Sequence, residues 1–168
     1  MNKVLDSLTR EELLDLVEVM SKNLLTLDGY WFLSIENRYG QSVAVEIDRE
    51  AWEQFGVSEA RRIKKFLKIS DGTLEDLARA LHFTSIAPVS AVSVETRGDR
   101  VVLNIRNCRP QTARLRSGRG LFPCKPVGLA HLSAFAKVIN PRFKVRCLLC
   151  PPDEHPDDLW CSWEFRLE

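Results

Sequence analysis

Two short stretches decide the fold: Phe143-Lys144-Val145-Arg146-Cys147-Leu148-Leu149, and, after a loop, Leu159-Trp160-Cys161-Ser162-Trp163-Glu164-Phe165. In each, apolar side chains fall on every second position, the period at which a strand returns to one face. Symmetric pairing sets Leu149 opposite Leu159, Cys147 opposite Cys161, Val145 opposite Trp163 and Phe143 opposite Phe165. All the apolar residues then share one side, which a one-residue slip would undo. In that register Cys147 and Cys161 face inward about 5 Å apart.

Upstream, Lys125-Pro126 opens a helix that ends before Asn140-Pro141, proline taking its favoured place in the first turn. An irregular stretch from Cys108 to Pro123 precedes it. Before that, Val92 and Val94 alternate with polar residues, Gly98-Asp99 turns, and Val101, Leu103 and Ile105 alternate again, which makes a hairpin. Residues 1–83 have the helical period instead. Thr9 to Glu12 form a capping box before an apolar stripe of Leu13, Leu16, Val17, Met20 and Leu24. Further helices are expected over 28–39, ending at Gly40, over 43–55, ending at Gly56, from Ser58 onward, and from Thr73 to Leu81. The expected fold is α+β. A helical N-terminal half, 1–83, packs on a β-hairpin–helix–β-hairpin antiparallel sheet, 84–168, within one domain spanning 1–168.

The composition is that of a globular protein, 45% hydrophobic and 28% charged, with a net charge of +1. Such a balance speaks against a dedicated nucleic-acid or membrane-surface binder. The halves differ: residues 1–83 carry 11 basic and 15 acidic side chains, residues 84–168 carry 13 and 8. The polar start, Met1 to Arg10, lacks the apolar core of a signal peptide, and no apolar run approaches a membrane span. A cytoplasmic chain with reduced thiols is expected, and its five cysteines all lie between positions 108 and 161.

Those cysteines carry the first candidate chemistry. Cys147-x2-Cys150-x4-His155-x5-Cys161 comes within one residue of zinc-knuckle spacing, and Cys108 extends the candidate metal set. Packed, inert thiols are the plainer alternative. Cys124 stands at a helix start beside Lys125, where the dipole and the exposed N–H groups favour a nucleophilic thiolate. Between Arg106 and Lys125 lie six basic residues and no acidic one, so Arg109, Gln111, Arg114 and Lys125 are candidate contacts for an anionic ligand. The same charges also suit a solvated face answering the acidic helices. Trp31 is a further candidate contact. Glu36, four residues after Phe32, is a candidate general base with a raised pKa, and Glu46, Asp48 and Trp52 pose the same choice one helix later. His82 and His131 read as incidental.

Five motifs occur together with Asp28-Gly-Tyr-Trp-Phe: Cys108-Arg-Pro-Gln-x2-Arg, Phe122-Pro-Cys-Lys-Pro, Asn140-Pro-Arg-Phe-Lys, Cys150-Pro-Pro-Asp-x-His-Pro and Trp160-Cys-x-Trp-Glu-Phe. Nearly the whole chain thereby resembles a prokaryotic family of cytosolic proteins of unassigned function. More distantly, Cys108, Cys124 and Cys161 match an outline shared by two groups. These are the 4-vinyl-reductase type of small-molecule-binding domain and the L-2-amino-thiazoline-4-carboxylic acid hydrolase family. That resemblance implies an α+β domain that binds a small ligand as a homodimer.

Three functions follow as expectations. The first is a small-molecule-binding domain for an anionic ligand, with Cys108, Cys124, Cys147 and Cys161 converging on its pocket and Cys150 and His155 at the rim. The second is a hydrolase of a cyclic amide or thiazoline carboxylate, using the Cys124 thiol or a cysteine-bound metal, with Arg114 holding the substrate carboxylate. The third is a domain stapled by structural zinc.

Overall fold

The computed structural model describes residues 3–168; Met1 and Asn2, part of the polar start, lie outside the described residues. After a short helix α1 (Lys3–Asp6), α2 (Arg10–Tyr39) and α3 (Gln41–Leu67) form a long antiparallel pair. The Thr9 capping box opens α2: the Glu12 N–H donates to Thr9 Oγ1 (3.2 Å), and the Thr9 N–H donates to Glu12 Oε2 (2.7 Å). Gly40, at φ +85°, separates the two helices as expected.

Two expected helix breaks are absent. The helices foreseen before and after Asp28 are one, and so are those flanking Gly56. Gly56 does not end α3; it lets another helix approach. A Cβ there would lie 2.6 Å from the His131 carbonyl oxygen, so the residue serves close packing, which local sequence cannot distinguish from a stop signal. The apolar stripe on α2 faces outward. Leu13, Val17 and Met20 are 41%, 51% and 58% exposed, and only Ser21 and Phe32 of that helix are buried.

The second half is closer to its expectation. After α4 (Leu74–Leu81) and α5 (Ala87–Ser90) come β1 (Val92–Arg97), β2 (Arg100–Ile105), α6 (Arg109–Arg116), α7 (Lys125–Ile139), β3 (Phe143–Leu149) and β4 (Cys161–Leu167). The stretch taken as irregular therefore holds α6, which Arg109-Pro110 opens just as Lys125-Pro126 opens α7. The strands form one antiparallel sheet in the order β1-β2-β4-β3.

The final hairpin pairs two residues away from the symmetric register. Phe143 faces Leu167, Val145 faces Phe165 and Cys147 faces Trp163, with a bulge before Leu149, while Cys161 faces Ile105 of β2. An even slip keeps every side chain on its face, so alternation alone does not select between the two pairings.

The core explains the arrangement. Helix α7 lies between α3 and the sheet, burying Leu132, Phe135, Ala136 and Ile139. One cluster runs from Ala60 and Ile63 through Leu77 and Leu81 to Val101, Trp163 and Phe165, and so joins both halves. Lys64 of α3 donates to the Val138 and Ile139 carbonyls (3.0 and 2.8 Å), closing the negative end of α7.

Candidate functional site

Where α2, α3, α6, α7 and the sheet meet, the packing leaves a mostly apolar cavity of about 210 Å³. Helix α7 supplies one wall at helical spacing: Cys124, Gly128, His131 and Leu132 share a face. Gly128 is required there, because a Cβ would lie 2.6 Å from Trp163 Cζ2. The missing side chain lets the indole of β4 lie against the helix. Gly29 on α2 is different: a Cβ there meets nothing within 4 Å, and the residue lines the cavity.

Four thiols reach this space: Cys108, Cys124, Cys150 and Cys161. Cys124 Sγ and Cys150 Sγ are 3.3 Å apart, and Gln111 Nε2 donates to Cys124 Sγ at 3.4 Å. Gln111 is itself fixed, donating to the Phe122 carbonyl (2.9 Å) and accepting from the Phe122 N–H (3.2 Å). Donation from the Cys150 thiol, then from Gln111, outweighs burial and holds the Cys124 thiol below its ordinary range. Cys150, standing between Cys124 and Cys161 as the donor, is pushed up. Burial raises the Cys108 thiol to about 12. Cys124 is thus the thiol prepared to ionise.

A carboxylate pair faces the same space from two helices. Trp52 Nε1 donates to Asp28 Oδ1 (3.0 Å), and Asp48 stands beside them. Burial raises both acids; for Asp48, the charge of Asp28 adds to it and brings the pKa to about 7. Next to Trp52 (centroids 5.0 Å apart) lies His131, whose Nε2 is 3.0 Å from Glu59 Oε2. Glu59 also accepts from the Ser85 N–H and hydroxyl (2.6 and 2.5 Å). Burial alone would raise Glu59, but the His131 and Ser85 bonds prevail and lower it.

The arginine segment is mostly spent on the protein's own carboxylates. Arg114 grips Glu36 through both terminal guanidinium nitrogens (3.0 Å each), donates to the Gly120 carbonyl through Nε, and lies over the touching rings of Phe32 and Phe122, 5.6 and 5.7 Å from their centroids. Arg119 adds a third bond to Glu36 (2.9 Å). Glu36 is therefore held below the usual carboxylate range, chiefly by Arg114, and is not the raised general base expected from its spacing. Arg114, expected to hold a ligand carboxylate, holds this one. Lys125 pairs with Asp153 (2.6 Å) and Arg106 with Asp158 (2.8 Å). Arg109 lines the cavity, is exposed, and makes no ion pair among the described residues.

The remaining expected residues fall elsewhere. Trp31 is 66% exposed and does not line the cavity. Cys147 is half-buried on the edge strand β3, and desolvation raises its thiol; Cys150, expected at the rim, is buried in its place. His155 packs on Trp160 in the 150–160 loop, its Nδ1 3.0 Å from the Pro156 carbonyl oxygen. Among the described residues, no three His, Cys, Asp or Glu side chains are arranged to hold a metal, so the set Cys108, Cys147, Cys150, His155 and Cys161 forms no such site. The symmetric register expected to set Cys147 opposite Cys161 is not adopted: Cys147 faces Trp163 and Cys161 faces Ile105. Asp28, Gly29 and His131 were not foreseen as site residues. The i+7 spacing of His131 from Cys124 and the i+4 spacing of Phe32 from Asp28 were the available signals.

Together these elements define an α+β domain whose helices and antiparallel sheet enclose a small apolar cavity bearing thiols and carboxylates. Residues 6–167 match a family of unknown function (DUF6125), and the chain belongs to that family. No curated protein matches it. Among the described residues no helix is long and apolar enough to cross a membrane.

Proposed function

We propose that the chain is a cytoplasmic binding protein for a small, largely apolar molecule carrying one anionic group. The cavity carries this reading: few polar groups stand on an apolar lining, as in small-ligand sites, and about 210 Å³, below the roughly 300–1,000 Å³ of drug-sized sites, limits the occupant to a small molecule. Arg109 favours the anionic group, since among the described residues it is the cation on the lining that no carboxylate neutralises. Gly29 supports the reading too. A helix-interior glycine costs roughly 1 kcal/mol relative to alanine, and here the space beside it is open.

The test is a titration with N-phenyl-1-naphthylamine, a neutral fluorophore that brightens in apolar surroundings, followed by naphthalene-1-carboxylate as its competitor. Wild-type protein should bind the dye saturably, and Gly29→Leu, which fills the cavity, should weaken it at least tenfold. Arg109→Ala should weaken the carboxylate about tenfold and leave the dye unchanged. A wild type that does not bind the dye saturably would sink the reading.

A second reading is favoured by the thiol geometry. Cys124, whose sulfur accepts from Gln111 and lies 3.3 Å from the Cys150 sulfur, has the environment of a nucleophile. The reaction would be hydrolysis of a cyclic amide or thiazoline carboxylate. For a cyclic amide, the thiolate would attack the ring carbonyl carbon and the ring C–N bond would break, with Asp48, which holds its proton up to about pH 7, protonating the leaving nitrogen. Water would then hydrolyse the thioester and return the Cys124 thiol. The three cysteines matched to the distant small-molecule-binding outline, Cys108, Cys124 and Cys161, all line the cavity, which fits either reading.

A further inference from the structure

The exposed stripe on α2 follows a stricter pattern than amphipathicity requires. Leu13, Val17, Met20, Leu24, Leu27 and Trp31 are separated by four, three, four, three and four residues. This is the alternation of the two seam positions in a left-handed coiled coil, sustained along one uninterrupted helix. Five of the six are exposed: Leu13 41%, Val17 51%, Met20 58%, Leu27 58% and Trp31 66%. Leu24 is half-buried. The helix turns another face, with Gly29 and Phe32, to the cavity, and Asp28 stands on the edge between that face and the seam. The seam is therefore not part of the chain's own core.

We infer that this seam is a homodimer interface, α2 of one copy packing on α2 of a second. The seam is self-complementary, as a two-fold interface requires. Its charges are arranged to permit self-association. In the heptad frame set by the seam, Glu11, Glu12, Asp15, Glu18 and Lys22 all fall on the three positions pointing away from it. The flanking positions are Leu14, Leu16, Ser21, Asn23, Asp28 and Tyr30, of which only Asp28 is charged, and it faces the cavity. Like charges at flanking positions oppose pairing of identical helices; here the pairing meets none. The area suffices as well. With Leu14 (55%) and Tyr30 (67%), seven exposed large apolar side chains line the strip. At about 100 Å² each they approach the roughly 800 Å² per partner of a stable interface. From Leu13 to Trp31 the seam is roughly 27 Å long, about five helical turns.

The experiment is sedimentation of the full chain from about 1 to 100 µM. A dimer of the 19.2 kDa chain is expected, and Met20→Glu/Leu27→Glu should weaken it at least a hundredfold while far-UV circular dichroism is unchanged. Both residues are exposed in the isolated chain, so the charges disturb no core. Should the double variant misfold, Leu27→Asn alone should still weaken the dimer about tenfold. A wild type that stays monomeric at 100 µM overturns the inference. So does a dimer that the folded double or single variant leaves intact.

Discussion

Helix α2 presents two carboxylates to the interior, Asp28 and Glu36, two turns apart, and the fold treats them in opposite ways. Glu36 meets Arg114 and Arg119 and is held ionised. Asp28 meets an indole N–H and a second acid, Asp48, and among the described residues no cation pairs with either. The first arrangement locks α6 onto α2 and spends the arginine in doing so. The second leaves charge unanswered inside an apolar cavity. Stability is invested at one end of the site, and electrostatic tension is left at the other. That tension is available to a bound molecule or a proton transfer, in the manner of functional sites generally.

The largest expected effect comes from breaking the satisfied end. Arg114→Ala leaves Glu36 with the exposed Arg119 and a long bond from Gln41 (3.5 Å), and should destabilise the fold by about 3–5 kcal/mol, as for one partner of a buried pair. Arg114→Met/Glu36→Met, which removes both charges, should recover most of that in urea denaturation. A double variant no more stable than the single one would show that the stacking on Phe32 and Phe122 matters, not the charge pair.

The tense end predicts a gain. The pKa of Asp48 rises from 3.8 to about 7 on folding. The folded chain therefore holds a proton between those values that the unfolded chain has lost, and stability falls as pH rises through that window. Asn does not titrate, so Asp48→Asn should match wild type near pH 4. It should then gain progressively up to pH 8, by at most about 4 kcal/mol at 1.36 kcal/mol per pKa unit. Parallel stability profiles of variant and wild type between pH 4 and 8 would refute the pairing.

What the sequence disclosed follows from the range of each signal. The hairpins, the Thr73 cap and the start of α7 were legible, because alternation, capping boxes and proline placement are local. Glu36 and Arg114 were both singled out, but as separate site residues. Their bond joins positions 78 apart, and local pattern carries no information about it. Gly40 and Gly56 look alike in sequence; one ends a helix and the other admits α7. Asp48 was noticed beside Trp52, yet only the structure brings Asp28 opposite it. The apolar stripe of α2 is legible in sequence, but its exposure is not, since periodicity reports a face and not what covers it.

The thiols extend the contrast within the cavity, and they give the smallest and most local effect. Cys124 is favoured as a thiolate because Cys150 and Gln111 donate to it, whereas Cys108 on the same lining has its thiol raised to about 12 by burial. Removing the first donor should make Cys124 behave more like its neighbour. Cys150→Ala should slow iodoacetamide labelling of Cys124 at pH 7 about tenfold, the size expected for one hydrogen bond to a charged group. It should also move the labelling midpoint to higher pH, and mass spectrometry of the peptide bearing Cys124 reads both. Cys150→Ser keeps a donor at the same place and should restore most of the rate. If alanine and serine slow the labelling alike, the role of Cys150 is to shape access to the sulfur; if only alanine does, the thiolate is made by the hydrogen bond, and the nucleophile reading stands on it.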